Sequence, residues 1–298
     1  VSGTRATVPV RPGPGRAAPS RRPDRPTAGP RARAVVPPAL AALAAVVALL
    51  PLVPLLVWAF AGQWRYPALW PQRLSLRGVR QLVDPANRIL PALALSVGIG
   101  VTVAVLACLL GFPAGRAVGL HRFRGRRAVQ FLLLAPVLVP GLAVTLGLQV
   151  FAIRVGLADT VAGVVLVQLV PTVPYAATLL GAGFANVDRE YEAQARALGA
   201  RPWQVLSRVT VPLVWPALRA ALLFTFLISW SDFILTLLIG GGQVQTLPLM
   251  LFAAVGSADS TVAAALALLV VAPPLVLVAL NARVLTGGNG AAVGLGHW

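Results

Sequence analysis

At 298 residues, with 58% hydrophobic and 11% charged side chains, the chain lies far from the roughly 25% charged composition of soluble globular domains and reads as an integral membrane protein. Its 25 basic residues are all arginine, against eight acids, and without lysine the chain cannot carry a Walker A phosphate loop. One cysteine (Cys108), two distant histidines (His121 and His297) and no G-x-S-x-G, H-E-x-x-H or C-x-x-C motif leave little for a catalytic or metal centre, so a membrane enzyme is disfavoured and no cofactor is expected.

In chain order, residues 1–34 are rich in Pro, Gly and Arg, with eight arginines and too few apolar side chains to fold, which predicts a disordered cytoplasmic tail. The apolar run that follows is longer than the h-region of a signal peptide, and no small-residue cleavage site succeeds it. Charge-free stretches at 34–62, 89–115, 128–153, 160–187, 220–231 with 233–258, and 260–282 predict six transmembrane helices of about 20 residues each, in a membrane domain over 35–285 with a short cytoplasmic tail at 286–298. Asp232 interrupts the fifth span, and Gly240-Gly241-Gly242 ends it before a short outer segment at 246–255.

Trp58, Trp64, Tyr66 and Trp70 flank the outer end of the first span as an interfacial aromatic belt. Pro136 and Pro140 fall in the third span and free carbonyls that need other partners; Pro171 and Pro174 sit near the middle of the fourth, where one reading has them shape the helix statically and the other has them kink or hinge it. Cys108 reads as buried filler in the second span. With the tail inside and six spans, 19 arginines fall on the cytoplasmic side and six outside, in agreement with the positive-inside rule and with both termini cytoplasmic. Arginines beside a span serve topology and lipid headgroups, so membrane lipid and not nucleic acid is the expected partner of the tail.

The segment 188–213, DREYEAQARALGARPWQVLSRVTVPL, is polar, charged and punctuated by Gly and Pro between apolar spans. Asp188 can cap a helix whose first turns carry Glu190 and Glu192, charges that suit a helix N-terminus. Tyr191, Ala195 and Leu198 recur at helical spacing, and Gly199 suits a left-handed C-terminal cap. Pro202 can open a second helix with Trp203, Leu206 and Val209 or Thr210 on one face, and Pro212 and Pro216 bracket a turn into the membrane. The expected object is two short helices about a Gly turn, the second presenting an aromatic, either as an anchor for a groove on another protein or as a side chain of the membrane interface.

By its pattern of Glu, small residues, Leu198-Gly199-Ala200, Pro202-Trp203-Gln204 and Val211-Pro212-Leu213, this segment resembles the coupling (EAA) loop of the permease subunits of binding-protein-dependent, type I ABC importers. Residues 131–148, Val170-Pro171-Thr172-Val173-Pro174-Tyr175 and the segment 229–249 (SWSDFILTLLIGGGQVQTLPL) are similar to the third, fourth and fifth spans of that group, the last nearest its polyamine, iron, thiamine and phosphonate branch. The resemblance implies an all-α, six-helix type I importer permease fold in a bacterial plasma membrane, with no catalysis of its own. It also implies a separate ABC ATPase, a second permease subunit, identical or not, and an extracytoplasmic solute-binding protein that delivers a small, polyamine-like solute. It assigns ATPase coupling to Glu190, Glu192, Ala193, Gly199, Ala200, Pro202, Trp203, Leu206 and Pro212. The chain departs from the pattern at Ala193, where the family has Glu, and at Arg201, often Ser, which leaves the salt-bridge partner of the loop open.

Asp232 is the sharpest residue inside the membrane, since an acid at mid-span costs about 2.5–3.5 kcal/mol on insertion scales. One reading has it line the translocation pathway or its outer gate with Ser229 and Ser231; the other has it pair with an outer Arg or a backbone N–H and fix packing only. Residues 63–88 are a weaker candidate for receiving the binding protein. The competing function is a stand-alone secondary transporter driven by an ion gradient, a class that tends to carry intramembrane ionisable groups or internal repeats; this chain shows one acid and no repeat.

Overall fold

The computed structural model describes residues 49–64, 68–139, 141–257 and 259–285, with Gly3, Leu43, Val46 and Val47. The chain divides into two units, Val1–Ala48 and Leu49–Trp298; in the first, Leu43, Val46 and Val47 are helical. The expected tails at 1–34 (Gly3 aside) and 286–298, much of the first expected span, and Tyr66 lie outside the described residues.

The second unit begins with α1 (Leu52–Ala59) and a small antiparallel ribbon of β1 (Ala61–Gln63) and β2 (Arg73–Leu74), in which Ala61 pairs with Leu74 and Gln63 with Arg73. This ribbon departs from the all-α expectation, and it forms where the chain leaves the apolar run and its backbone needs partners other than a helix. Trp58 stacks on Trp64 at 4.6 Å, and the Trp64 indole N–H donates to the Ala68 carbonyl, whereas Trp70 is exposed. Then come α2 (Arg77–Val83), a 3₁₀ turn (Pro85–Asn87), α3 (Ile89–Leu120), α4 (Arg126–Leu138), α5 (Gly141–Arg154) and α6 (Val161–Ala185). The loop helices α7 (Glu190–Ala197) and α8 (Pro202–Val205) precede α9 (Val211–Ser231), α10 (Ile234–Gly240), α11 (Leu247–Gly256) and α12 (Ser260–Leu285).

Among the described residues four helices are long and apolar enough to cross a membrane: Ile89–Leu120, Val161–Ala185, Pro202–Ser231 and Ser260–Asn281. The third expected span is not one helix. It breaks between α4 and α5 because Pro140 pushes the preceding residue out of the helical region, and Val139 is extended at φ −80°, ψ 140°. The fifth breaks where expected: α9 stops at Ser231, Asp232 is extended (ψ 125°), and α10 ends at Gly241 and Gly242, both left-handed at φ 51° and 82°. The short segment expected after the glycines is α11.

The centre of the unit is the pairing of α3 with α6. Gly111, Gly115 and Gly119 line α3 at four-residue spacing, and a Cβ on Gly115 would stand 2.8 Å from the Leu180 Cβ and 2.9 Å from the Ala177 carbonyl oxygen. Without a hydrophobic drive between helices in lipid, such close backbone approach is what dispersion contact requires. Cys108, Ala176, Leu180, Phe184, Val214 and Ala221 are buried around this seam, so Cys108 is buried as expected, and Phe112 meets Phe184 edge-on at 5.1 Å. Pro171 and Pro174 lie within a continuous α6, where the Thr172 and Thr178 hydroxyls bond back to the carbonyls of Gln168 and Pro174. On α9, Trp230 donates to the Val270 carbonyl of α12 at 3.0 Å and stacks near Phe226.

Candidate coupling loop and membrane cavity

The loop folds largely as its residues dictate. Asp188 Oδ1 accepts from the Glu190 N–H at 2.9 Å and starts α7. Gly199 is left-handed at φ 84°; its N–H reaches the Arg196 carbonyl and that of Ala200 reaches Ala195, both at 3.0 Å, so two orphan carbonyls at the end of α7 are paired. Arg201 is extended and its N–H donates to Gln204 Oε1 at 2.8 Å, half of a capping box supplied by the third helical residue, and Pro202 opens α8.

Two expectations fail at the next step. Pro212 and Pro216 do not bracket a turn: α8 runs through a π turn at Leu206–Thr210 directly into α9, as one path over Pro202–Ser231. The Val211 N–H reaches back five residues to the Leu206 carbonyl, so Pro212, which has no N–H to offer, follows a widened turn. The extra residue also changes the buried face. Val205 and Thr210 are buried, Leu206 is half-buried, and Trp203 is 73% exposed, instead of Trp203, Leu206 and Thr210 sharing one face.

Glu192 is the buried centre of this region. Its Oε2 accepts from Arg116 at 2.7 Å and from Arg196 at 3.1 Å, and its Oε1 accepts from the Thr210 hydroxyl at 2.7 Å. One carboxylate thus joins the arginine near the C-terminal end of α3, the loop helix α7 and the π turn. Glu190, Ala193, Gly199, Pro202 and Pro212 are exposed, and Ala200 is half-buried. Tyr191, Leu198 and Trp203 are 55%, 89% and 73% exposed. From sequence alone Thr210 reads only as a face residue and neither it nor Arg116 is paired with Glu192, although Arg116 is the first charge after the long apolar run at 89–115 and so marks the end of that helix.

The second site lies at the break between α9 and α10. A cavity of about 350 Å³ is lined by Thr145, Gln168, Thr172, Ser229, Ser231 and Asp232 among apolar neighbours, so the structure brings all three predicted membrane residues to one place. Ser229 is buried and donates to Gln168 Oε1 at 2.5 Å; Gln168 Nε2 donates to Asp232 Oδ2 and to Thr236 Oγ1, each at 3.1 Å. Asp232 also caps α10, its Oδ2 accepting the Thr236 N–H at 3.2 Å and its Oδ1 the Leu235 N–H at 3.4 Å. Ser231 is exposed, and among the described residues its hydroxyl bonds only the Ile228 carbonyl, at 3.2 Å. Gln168, the hub of the cluster, went unnoticed in the sequence; its signal is an amide set among apolar residues well inside the charge-free run 160–187.

Residues 109–286, which include both sites, match the family described as the binding-protein-dependent transport system inner membrane component. The chain belongs to this family. It is 34% identical over 226 residues to the molybdenum transport system permease protein ModB of Mycobacterium tuberculosis, covering 70% of this chain and 82% of that one. It is 29% identical over 178 residues to the putrescine transport system permease protein PotI of Escherichia coli, covering 57% and 63%. Its fold is similar to that of a chain in a bacterial ABC transporter involved in the import of the acidic polysaccharide alginate, with a TM-score of 0.63 at 19% identity, covering 83% of this chain and 94% of that one. The protein is thus an integral membrane permease subunit of an ABC importer.

Proposed function

We propose that the permease forms the translocation pathway for a small, polyamine-like solute handed over by an external binding protein, and that a separate ATPase drives it by docking on the 188–213 loop. In this reading six spans cross a bacterial plasma membrane with both termini cytoplasmic, a second permease subunit completes the pathway, and Ser229, Ser231 and Asp232 line it. The observation that carries the reading is the inverted polarity of the loop. Its acid Glu192 and hydroxyl Thr210 turn inward, whereas Tyr191, Leu198 and Trp203 turn outward. Exposed aromatic and aliphatic anchors on a braced two-helix turn suit a groove on a partner. The helical path from Pro202 to Ser231 leads from that surface to the cavity, so a push on the loop reaches Ser229 along one helix and Asp232 at the break just beyond its end. The relatives are named for molybdenum and for putrescine and so support the importer reading more than any one solute.

Co-isolation tests it. Tagged permease purified from its native membrane is expected to bring an ATPase with it, and the pair Leu198→Asp with Trp203→Ala is expected to cut recovery at least about tenfold while leaving the permease monodisperse. Equal recovery with both changes, or solute uptake by the lone permease in proteoliposomes without ATP, sinks the reading in favour of a secondary transporter.

A further inference from the structure

We infer that the cavity at the α9–α10 break selects solutes that present a cationic, hydrogen-bond-donating group such as an ammonium, and rejects oxyanions, with Asp232 as the recognising carboxylate and Gln168 as the residue that positions it. The inference rests on the pathway reading above and adds which residues recognise the charge of the solute and which class of solute they exclude.

Three observations carry it. First, Asp232 has no ion-pair partner among the described residues, and the residues lining the cavity include no basic side chain. When ionised, this carboxylate is uncompensated within the described chain and sets a negative potential in a space walled by Leu142, Leu148 and Ile234, where low-dielectric walls focus rather than screen the field. Second, the groups around the carboxylate are donors: the Leu235 and Thr236 N–H groups, the Gln168 amide and the Thr236 hydroxyl. Oδ2 takes most of them, whereas Oδ1 accepts only the 3.4 Å contact from Leu235, which leaves acceptor capacity for a ligand. Third, Gln168 fixes the carboxylate. Its Nε2 holds Oδ2, and its own carbonyl is spent on the Ser229 hydroxyl at 2.5 Å, so the amide cannot turn over without losing both bonds. An anion entering this space meets a like charge, and the Leu235 and Thr236 N–H groups of α10 are already taken by Asp232.

The test reads the potential directly and needs neither ATPase nor transport. In a Cys108→Ala background, which removes the single native thiol, Ser231→Cys places a thiol on the cavity wall beside Asp232. Full-length permease in nanodiscs is labelled with trimethylammonioethyl methanethiosulfonate or with sulfonatoethyl methanethiosulfonate, each rate being divided by that of free thiol. The cationic reagent is expected to react about tenfold faster than the anionic one. Asp232→Asn is expected to bring the ratio to about one, Asp232→Glu to keep it above one, and Gln168→Leu to lower it partway; millimolar spermidine is expected to slow the cationic reagent while molybdate does not. Equal rates with Asp232 in place, or a ratio unmoved by Asp232→Asn, overturns the inference alone. A thiol that neither reagent reaches overturns the pathway reading beneath it.

Discussion

Arg116 and Glu192, 76 positions apart, meet at 2.7 Å and bind the end of α3 to the loop helix α7. The Glu192 side chain is only 10% exposed and that of Arg116 34%, so the pair is shielded more than an ordinary surface bridge, and Thr210 and Arg196 fill the remaining oxygen sites. Where a partner protein would have been sought for the acid of this loop, the chain supplies one itself.

A double-mutant cycle follows from this. Glu192→Gln and Arg116→Gln are each expected to lower the thermal stability of the purified permease, and the pair together to lower it less than the sum, with a coupling of about 1–2 kcal/mol. Additive losses in melting experiments would show that the 2.7 Å contact contributes nothing on its own.

Gly199 has open space around its Cβ position, and its φ is 84°. The cost of Gly199→Ala is therefore backbone strain alone, about 1 kcal/mol, and Gly199→Asn is expected to cost less because Asn visits the left-handed region more readily. The small loss of melting temperature should be accompanied by faster amide exchange at Arg196–Trp203; unchanged exchange would argue that the turn is not held by this conformation.

On α3, Gly115 and Gly98 make a matched pair. Gly115→Val places atoms within about 3 Å of Leu180 and Ala177 and is expected to cost roughly 1–3 kcal/mol or more as α3 and α6 are forced apart. Gly98 meets nothing within 4 Å, so Gly98→Ala is expected to be neutral or to stabilise by up to about 1 kcal/mol through helix propensity. Detergent melting curves that rank them otherwise would refute the close packing of this seam.

Ser96 is buried and accepts the Leu247 N–H at 2.7 Å while donating to the Ala92 carbonyl at 2.8 Å. Ser96→Ala leaves the first N–H of α11 unpaired in an apolar setting and is expected to cost about 1–3 kcal/mol. The check is whether exchange at the start of α11 quickens before the rest of the protein does.

Much of this architecture could be read along the chain wherever a residue has one conformational use. Gly199 and Gly241 end helices because they alone take positive φ at no cost, Pro202 begins one because it needs no N–H there, and Asp232 breaks the fifth span because its carboxylate seeks N–H groups that an unbroken helix has already used. What escaped depended on partners distant in sequence. The inward turn of Glu192 needs Arg116, the role of Gln168 needs Asp232 and Ser229 more than 60 positions away, and neither is visible in local spacing. Pro212 misled for a subtler reason, since its usual consequence is a break, and here the preceding π turn makes room for it.

That π turn sets a phase. An α-helix advances about 100° per residue, and a π turn stores one residue beyond what the α path requires. The side of α9 that faces Gln168, with Ser229 upon it, is thus oriented relative to Trp203 by the single surplus residue in Leu206–Thr210, at the far end of the helix. Shortening that segment by one residue would leave every span apolar, yet turn the serine away from its amide. Length in this short stretch is as informative as composition, and an alignment gap there would mark a differently keyed shaft.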